Sequence, residues 1–252
     1  MPLTDKEREK YARHLALKEI GETGQEKLLN AKILIIGTGG LGSPASAYLA
    51  AAGIGTLGLV DFDKVELSNL QRQIIHMTKN IGKPKLLSAK ETLSNINPDI
   101  NIITYNEYLG HNNITDIIND INYDFILDCT DNFESKFLIN DACVALKKPF
   151  SHGGVISFRG QTMTYIPGKG PCYRCVFVNP PLDGAVPTSK QVGIIGTSPG
   201  VIGTIQATEA IKCILHIGNP LAEHLLIYDG LKMEFRKIKI SKRKGCAACA
   251  IE

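Results

Sequence analysis

The sequence predicts an α/β protein in which a Rossmann-like sheet of the nucleotide-binding type continues into a mainly antiparallel second half. Three observations support this prediction. An apolar, β-branched run at 32–36 stops at a cluster of glycines and is followed by an Ala-rich helical segment. Further apolar runs alternate with helical patterns as far as residue 148, as in βαβ units. Beyond residue 149, strand-like runs follow one another closely, which favours antiparallel pairing.

The first half is predicted to alternate strands and helices after an N-terminal helical arm. Apolar residues among alternating charges at 5–17 form a helical pattern that ends near Gly21. Asn97-Pro98 closes an amphipathic helix, and Asn112 or Asn113 can cap a short helix that ends at residue 119. The predicted strands are 32–36, 57–60, 100–105 and 125–129, and the other predicted helices are 43–52, 85–95 and 133–146.

The second half is predicted to contain two strand pairs and one long helix. The first pair would join near Ser157, and Gly153 and Gly154 would let another chain approach closely. Small residues along the long helix suit a core or dimer contact, and the basic run of 237–244 is typical of a solvated strand edge. The predicted elements are strands 149–156, 158–166, 225–228 and 233–240 and a helix at 199–217.

Length and composition fit a single domain. The chain has 252 residues, of which 21% are charged, and its net charge of +3 is too mild for nucleic-acid binding unless the basic residues cluster. The first ten residues are polar, which does not fit a signal peptide, and no apolar run reaches the roughly 18 residues of a membrane span. We therefore expect a cytoplasmic protein without a membrane or nucleic-acid partner. Its parts would be a helical arm (1–30), a nucleotide-binding half (31–148) and a second half (149–252).

The glycine-rich segment predicts a phosphate site. Gly37, Gly39 and Gly42 let the chain turn sharply, so that backbone N–H groups can approach phosphates at the positive end of a helix. Asp61 ends the second strand about 20 residues later, where this architecture binds ribose hydroxyls. A helix cap or turn residue is the alternative for Asp61. An NAD-dependent oxidoreductase would share both features, so this alternative stays open here.

The polar residues that follow favour a metal-bound triphosphate. Asn69 and Arg72 lie three apart and would share one face of a helical turn. Arg72 and Lys85 could supply fixed cations for a pyrophosphate leaving group, although either alone is more often surface charge. Asp128 and Asp131 follow the fourth strand, where ligands of open α/β sheets bind. We expect Asp131 to bind Mg²⁺ and Asp128 to act structurally, while either could instead cap the next helix.

The seven cysteines are an odd number, which argues against a disulfide framework. Cys129, Cys143 and Cys213 lie in apolar patterns and are predicted to be buried packing residues. The remaining four form two C-x-x-C pairs that suit a closed, structural zinc site, whereas a lone pair could be a redox motif. These predicted zinc ligands are Cys172, Cys175, Cys246 and Cys249.

Taken together, five motifs resemble the bacterial ThiF, MoeB and HesA adenylyltransferases, relatives of the ubiquitin-activating enzymes. Their order, spacing and residue types match, and the resemblance covers essentially the whole chain. It implies that the glycine loop, Asn69, Arg72 and Lys85 bind ATP phosphates. It further implies that Asp61 binds ribose, that Asp131 binds Mg²⁺, and that the four paired cysteines bind zinc. The motifs are Gly37-x-Gly39-Gly40-x-Gly42, Asp61-x-Asp63, Ser68-Asn69-Leu-Gln-Arg72-Gln73, Gly82-x-Pro84-Lys85 and Asp128-Cys-Thr-Asp131-Asn132.

The resemblance also implies partners. Tyr11-Ala-Arg13-His14 is similar to the family's Tyr-x-Arg-Gln element, whose arginine reaches the ATP of the other subunit in a homodimer; His14 replaces the glutamine. The second half would grip the C-terminal tail of a small ubiquitin-like sulfur-carrier protein. In many relatives a crossing loop carries a cysteine that links covalently to the carrier, but residues 178–193 contain none. The corresponding position falls near Ser189, so we expect a separate sulfurtransferase.

These roles imply one reaction. The Gly-Gly carboxylate of a MoaD- or ThiS-type carrier would attack the α-phosphate of ATP and release pyrophosphate, in molybdopterin or thiamine biosynthesis. Gly40 would let the loop approach that phosphate. A carboxylate needs no general base at pH 7, so His152 receives no role; Lys136 stands where many members carry arginine, and its role is open. The alternatives are a short peptide or tRNA-linked carboxylate as substrate, a non-catalytic carrier-binding subunit, and the oxidoreductase.

Overall fold

The computed structural model describes residues 2–182, 184–187 and 189–250, and within these residues eight strands form one sheet. The strands are β1 (Lys32–Ile36), β2 (Thr56–Val60), β3 (Asn101–Tyr105), β4 (Phe125–Asp128), β5 (Phe150–Ile156), β6 (Arg159–Tyr165), β7 (His224–Asp229) and β8 (Glu234–Lys239). Their order is β3-β2-β1-β4-β5-β6-β7-β8. Pairing is parallel from β3 to β5 and antiparallel from β5 to β8. The predicted mixed α/β sheet is therefore confirmed.

Helices cover both faces of the parallel half. They are α1 (Asp5–Lys10), α2 (Ala12–Leu15), α3 (Gly21–Asn30), α4 (Gly42–Ala51), α5 (Lys85–Ile96), α6 (Ile114–Asn119), α7 (Phe133–Ala145), α8 (Tyr173–Val176), α9 (Ser189–Val192) and α10 (Thr197–Leu215). Ile33 and Ile35 of β1 belong to a core with residues of α4, α5 and α10, whereas Leu34 and Ile36 belong to a second core with residues of α6 and α7. Burial on both faces explains the unbroken apolar run of β1.

The N-terminal arm differs from its prediction. Two helices, α1 and α2, replace the single helical pattern, because Tyr11 ends α1 and turns its ring into the body, and α3 follows as an additional helix. The Tyr11 hydroxyl accepts a hydrogen bond from Asn97 at 3.1 Å. A Cβ at Gly53 would lie 2.4 Å from this hydroxyl, so the glycine makes room for the ring. The arm is thus anchored at Tyr11, while Arg13, two residues later, is exposed.

The second half largely follows the sequence prediction. Helix α10 is confirmed as a core element, because Ile202, Ala207 and Ala210 are buried beneath the sheet. Every residue of β8 is exposed, as expected for a solvated edge. The predicted crossing loop includes the short helix α9. Asp183 and Thr188 of that loop lie outside the described residues, as does the side chain of Ser189.

Two further predictions concern the burial of the three unpaired cysteines and the absence of a membrane span. Cys129 and Cys143 are buried as predicted. Cys213 on α10 packs against the core but is only half-buried, so its predicted burial is wrong. In the described part of the chain, no helix has both the length and the apolar character needed to cross a bilayer.

Candidate active site and cysteine cluster

A cavity of about 1000 Å³ opens at the carboxyl ends of β1, β2 and β4 and continues along β5 and β6. Such strand ends are the usual ligand site of an open α/β sheet. Most of the predicted nucleotide-site residues line it, whereas Gly42, Asn69 and Arg13 lie outside its lining. The predicted residues in the lining are Gly37, Gly39, Gly40, Asp61, Arg72, Lys85 and Asp131.

The glycine loop is a tight turn between β1 and α4. Gly37 has φ +95°, which a residue with a side chain rarely adopts. A Cβ at Gly42 would lie 1.9 Å from the Gly37 carbonyl oxygen, so Gly42 serves the turn itself. A Cβ at Gly40 would lie 3.2 Å from Pro199 and 3.5 Å from Arg72 Cδ. Gly40 therefore packs against α10 and the Arg72 side chain.

Asp61 is held against the glycine loop. Its Oδ2 accepts hydrogen bonds from the backbone N–H and the hydroxyl of Thr38, both at 2.8 Å, and its Oδ1 accepts from Asp63 N at 3.0 Å. Sequence reasoning missed the support beneath the loop. The buried His76 ring lies 3.0 Å from the Thr38 carbonyl and 3.0 Å from the Ser88 hydroxyl, and burial lowers its pKa. A lone histidine in an apolar stretch was the one available signal.

The predicted cations line the cavity close to the glycine loop and to Asp61. Lys85 is buried, and its Nζ lies 2.8 Å from Asp63 Oδ2, which fixes the ammonium at the cavity. Arg72 donates to the Ser68 carbonyl at 3.1 Å. The Asn69 Oδ1 instead accepts from Glu66 N at 3.2 Å within a short 3₁₀ turn. The predicted turn is present, because the Arg72 and Gln73 N–H groups donate to the Asn69 carbonyl at 3.1 and 3.0 Å, but the Asn69 side chain lies outside the cavity lining.

Asp128 lies beneath the cavity in a fully buried polar cluster. Its Oδ1 accepts from Thr130 N at 3.1 Å and from the Thr130 hydroxyl at 2.6 Å, and its Oδ2 lies 2.9 Å from His152 Nδ1. Burial alone would raise the pKa of this carboxyl, but Lys136 and His152 outweigh it and hold the pKa at about 2. These contacts support the structural role expected for Asp128, while Asp131 is exposed at the cavity mouth.

Lys136 joins neighbouring strands. Its Nζ lies 3.3 Å from Asp128 Oδ2 and donates to the carbonyls of Thr130 and Gly153, each at 2.7 Å. Three acceptors in different directions suit an ammonium group better than a planar guanidinium. From α10, the Gln206 amide donates to the Asp128 and Ser151 carbonyls, a contact that sequence reasoning also missed. Lys136 and Gln206 thus link β4 to β5 beneath the cavity.

The two C-x-x-C pairs come together as predicted. All four Sγ atoms lie within 4.8 Å of one another, and the close pairs are 3.4, 3.6 and 3.9 Å apart. Zn–S bonds of about 2.3 Å in a tetrahedron require sulfur separations of about 3.8 Å. Burial raises the Cys246 pKa, but the N–H groups of Cys249 and Ala248 help to lower it to about 7. The cluster fits a tetrahedral thiolate site that connects α8 to the C-terminal segment.

Comparison with known proteins agrees with this geometry. The sequence profile of the ThiF family matches residues 11–248. The chain belongs to the ThiF family. It is 41% identical, over its full length and 94% of the relative, to the sulfur carrier protein adenylyltransferase of Thermus thermophilus. It is 46% identical to the Drosophila sechellia adenylyltransferase and sulfurtransferase MOCS3 over 99% of this chain. The chain spans about half the length of its MOCS3 relatives, 55% for that protein.

Solved structures support the same fold. The crystal structure of Escherichia coli MccB with MccA-N7isoASN has a TM-score of 0.82 and 25% identity, over 95% of this chain and 74% of MccB. MccB with ATP, at 23% identity and a TM-score of 0.82, shows the fold alone. The predicted family is confirmed, and so is the adenylyltransferase class, by the names of the family relatives. The roles of the individual site residues stay predictions.

Proposed function

We propose that this ThiF-family chain adenylates the C-terminal Gly-Gly carboxylate of a small ubiquitin-like sulfur-carrier protein, of the MoaD or ThiS type. The observation that carries the proposal is the continuity of the cavity from the glycine loop to β5 and β6. Its volume, about 1000 Å³, lies at the upper end of ordinary ligand pockets and suits a nucleotide together with an extended tail. The Thermus relative's name supports a sulfur carrier as the substrate.

In the proposed reaction, a carboxylate oxygen of the tail attacks the α-phosphorus of ATP. The bond from that phosphorus to the bridging oxygen breaks, and pyrophosphate leaves with the electron pair. The glycine loop would hold the phosphates, with Arg72 and Lys85 placed to stabilise the leaving charge. Asp131 would hold Mg²⁺, which supplies further charge neutralisation. No base is needed, because the attacking carboxylate is already ionised.

The four-cysteine cluster would bind zinc as a structural ion. All four ligands come from the protein, so no coordination position is left for a substrate or an activated water. The ion would hold the C-terminal segment against α8. Because α8 also contributes Tyr173 to the cavity lining, the zinc would stabilise the carrier-binding wall without taking part in the reaction.

Arg13 would complete the site of a second subunit in a homodimer. The support is its position, exposed on α2 and away from its own cavity lining, close to the firmly anchored Tyr11. Mixing inactive Arg13→Ala and Asp131→Ala proteins should restore up to about a quarter of the wild-type activity, through heterodimers with one intact site. A mixture that exchanges subunits and stays inactive would show that Arg13 does not act in trans.

Sulfur transfer would require a separate sulfurtransferase. The crossing loop contains no cysteine, and a serine hydroxyl is a poor substitute for a thiolate without an activating base. Non-reducing denaturing electrophoresis after reaction should therefore show no covalent complex between carrier and enzyme. A thiol-sensitive complex of this kind would contradict the proposal. The carrier would serve molybdopterin or thiamine biosynthesis.

The proposed function is tested by ATP–pyrophosphate exchange with purified protein and carriers that end in Gly-Gly. Exchange should require the carrier and should disappear when the carrier's last glycine is removed. Absence of exchange with every MoaD- and ThiS-type carrier, together with tight NAD binding, would favour the oxidoreductase alternative. An NAD-dependent oxidoreductase would not explain why Arg72, Lys85 and Asp131 line the same cavity.

A further inference from the structure

One buried histidine atom in the wall of the cavity lacks a hydrogen-bond partner. His152 of β5 is fully buried and belongs to the cavity lining. Its Nδ1 lies 2.9 Å from Asp128 Oδ2, but its Nε2 has no hydrogen-bond partner among the described residues. An unpaired buried polar atom destabilises the protein, so a bound molecule that pairs with it recovers that loss.

The Asp128 contact fixes the chemistry of this atom. An ionised carboxylate only accepts hydrogen bonds, so the hydrogen of the neutral imidazole lies on Nδ1 and Nε2 presents a lone pair. Burial, followed by the nearby Lys136 ammonium, lowers the His152 pKa to about 4, which keeps the ring neutral near pH 7. The cavity wall therefore offers an acceptor, which suits an N–H donor and disfavours a phosphate or carboxylate oxygen.

His152 lies in the part of the cavity lined by β5 and β6, where we expect the tail to bind. His152 is paired in the sheet with Asp128, and Asp128 is three residues before Asp131. A Cβ at Gly154 would lie 3.4 Å from both Nε2 and Gln161 Cγ, and Gly154 and Gln161 line the cavity, so the space above Gly154 borders this atom. The tail has to pass between the β5–β6 wall and the glycine loop if its carboxylate is to reach the α-phosphorus. An extended peptide presents a backbone N–H about every 3.3 Å along this path.

We propose that His152 Nε2 accepts a hydrogen bond from a backbone N–H near the C-terminus of the carrier tail and thereby positions the terminal carboxylate. His152 is in this account a positioning residue, held by Asp128, for the reaction proposed above. The inference rests on that proposed function and adds a determinant of its substrate, a peptide-linked carboxylate with an N–H donor.

The test is a cycle of exchange assays that varies both partners. Carriers are prepared by semisynthesis with an ester in place of the last or the penultimate peptide bond, which removes one N–H each time. His152→Asn keeps an amide donor near the Nδ1 position and removes the Nε2 acceptor. His152→Gln, the matched control, places an amide oxygen near the Nε2 position. Thermal unfolding confirms that each variant is folded.

With wild-type protein and with His152→Gln, one of the two esters should lower kcat/KM for the carrier roughly 3–10-fold, the range expected for one hydrogen bond. With His152→Asn, the same ester should cost less than about twofold, because the acceptor is already lost. KM for ATP should stay unchanged in all three proteins. Equal costs of both esters in the wild type and in His152→Asn would overturn the role of His152.

A second variant covers the case in which His152 substitutions prevent folding. Gly154→Ala retains the His152–Asp128 contact, and its methyl group would lie 3.4 Å from Nε2, at ordinary contact distance. In Gly154→Ala, as in His152→Asn, the ester should lower kcat/KM by less than about twofold. If the ester lowers kcat/KM in this variant as much as in the wild type, the inference is overturned. Absence of exchange with wild-type protein would instead overturn the proposed function. Carrier-dependent exchange without coupling to His152 would overturn the inference alone.

Discussion

The parallel and antiparallel halves of the sheet assemble their functional groups in different ways. In the parallel half, partners are near in sequence: Asp61 contacts Thr38 across 23 residues, and Lys85 contacts Asp63 across 22. In the second half, Cys172 meets Cys246 across 74 residues. The first half thus builds its site from consecutive strand ends, whereas the second half needs the complete fold. We therefore expect substitutions at the site of the second half to lower mainly stability. Substitutions at the site of the first half should lower mainly activity.

The largest effect is expected when the cysteine cluster is disrupted. Wild-type protein should contain about one Zn²⁺ per chain, and Cys172→Ser or Cys249→Ser should lose it. We expect a stability loss of roughly 4 kcal/mol, or a Tm lower by about 10 °C, because four thiolates no longer share an ion. Metal analysis and thermal unfolding measure both effects, with the half-buried Cys213→Ser as control. Metal-free wild-type protein with unchanged stability would contradict the zinc site.

The next effect concerns the parallel half. Lys85→Met should lower the rate of carrier-dependent exchange about 100-fold, because a fixed cation is lost beside the leaving pyrophosphate. Its Tm should change little compared with that loss of activity. Lys83→Met is the matched control, since Lys83 is exposed and lies outside the cavity lining. If both variants lose the same amount of exchange activity, Lys85 has no specific role at the phosphates. The distinction between the two halves would then be weaker.

A smaller effect is expected where the halves meet, at His152. The His152 pKa is lowered to about 4 by burial and by Lys136, so the unfolded chain binds more protons between pH 6.5 and pH 4. Stability should be complete above about pH 6.5 and should fall by on the order of 2–3 kcal/mol as the pH decreases to about 4.5. Urea unfolding at several pH values measures this slope.

The charged and titratable groups that face His152 belong to three other elements. They are Asp128 on β4, Lys136 on α7 and Tyr173 on α8. Asp128 loses its own contribution at lower pH, between about 4 and 2, because its folded pKa is about 2. His152→Gln should flatten the slope between pH 6.5 and 4.5, with a remainder from His76, whose pKa is also lowered. An unchanged slope would contradict a neutral, buried His152.

The two halves also differ in how far their sites could be predicted from the sequence. Motif spacing was enough to locate the strands of the parallel half along the chain and to bring most of the predicted phosphate-site residues to the cavity, because each motif follows its own strand. It misplaced the Asn69 side chain, since the 3₁₀ turn at 67–69 depends on a local bond to Glu66. It also left His152 without a role. The Asp128–His152–Lys136 cluster depends on the register of β4 with β5 and on the packing of α7, and neither can be derived from residue spacing.

Adenylation of the carrier can be measured by intact mass spectrometry of the carrier after reaction with ATP, Mg²⁺ and this protein. We expect the carrier to gain one AMP on its C-terminal glycine and to stay unmodified when that carboxylate is amidated. Unmodified MoaD- and ThiS-type carriers alongside a folded, ATP-binding protein would contradict the proposed adenylation.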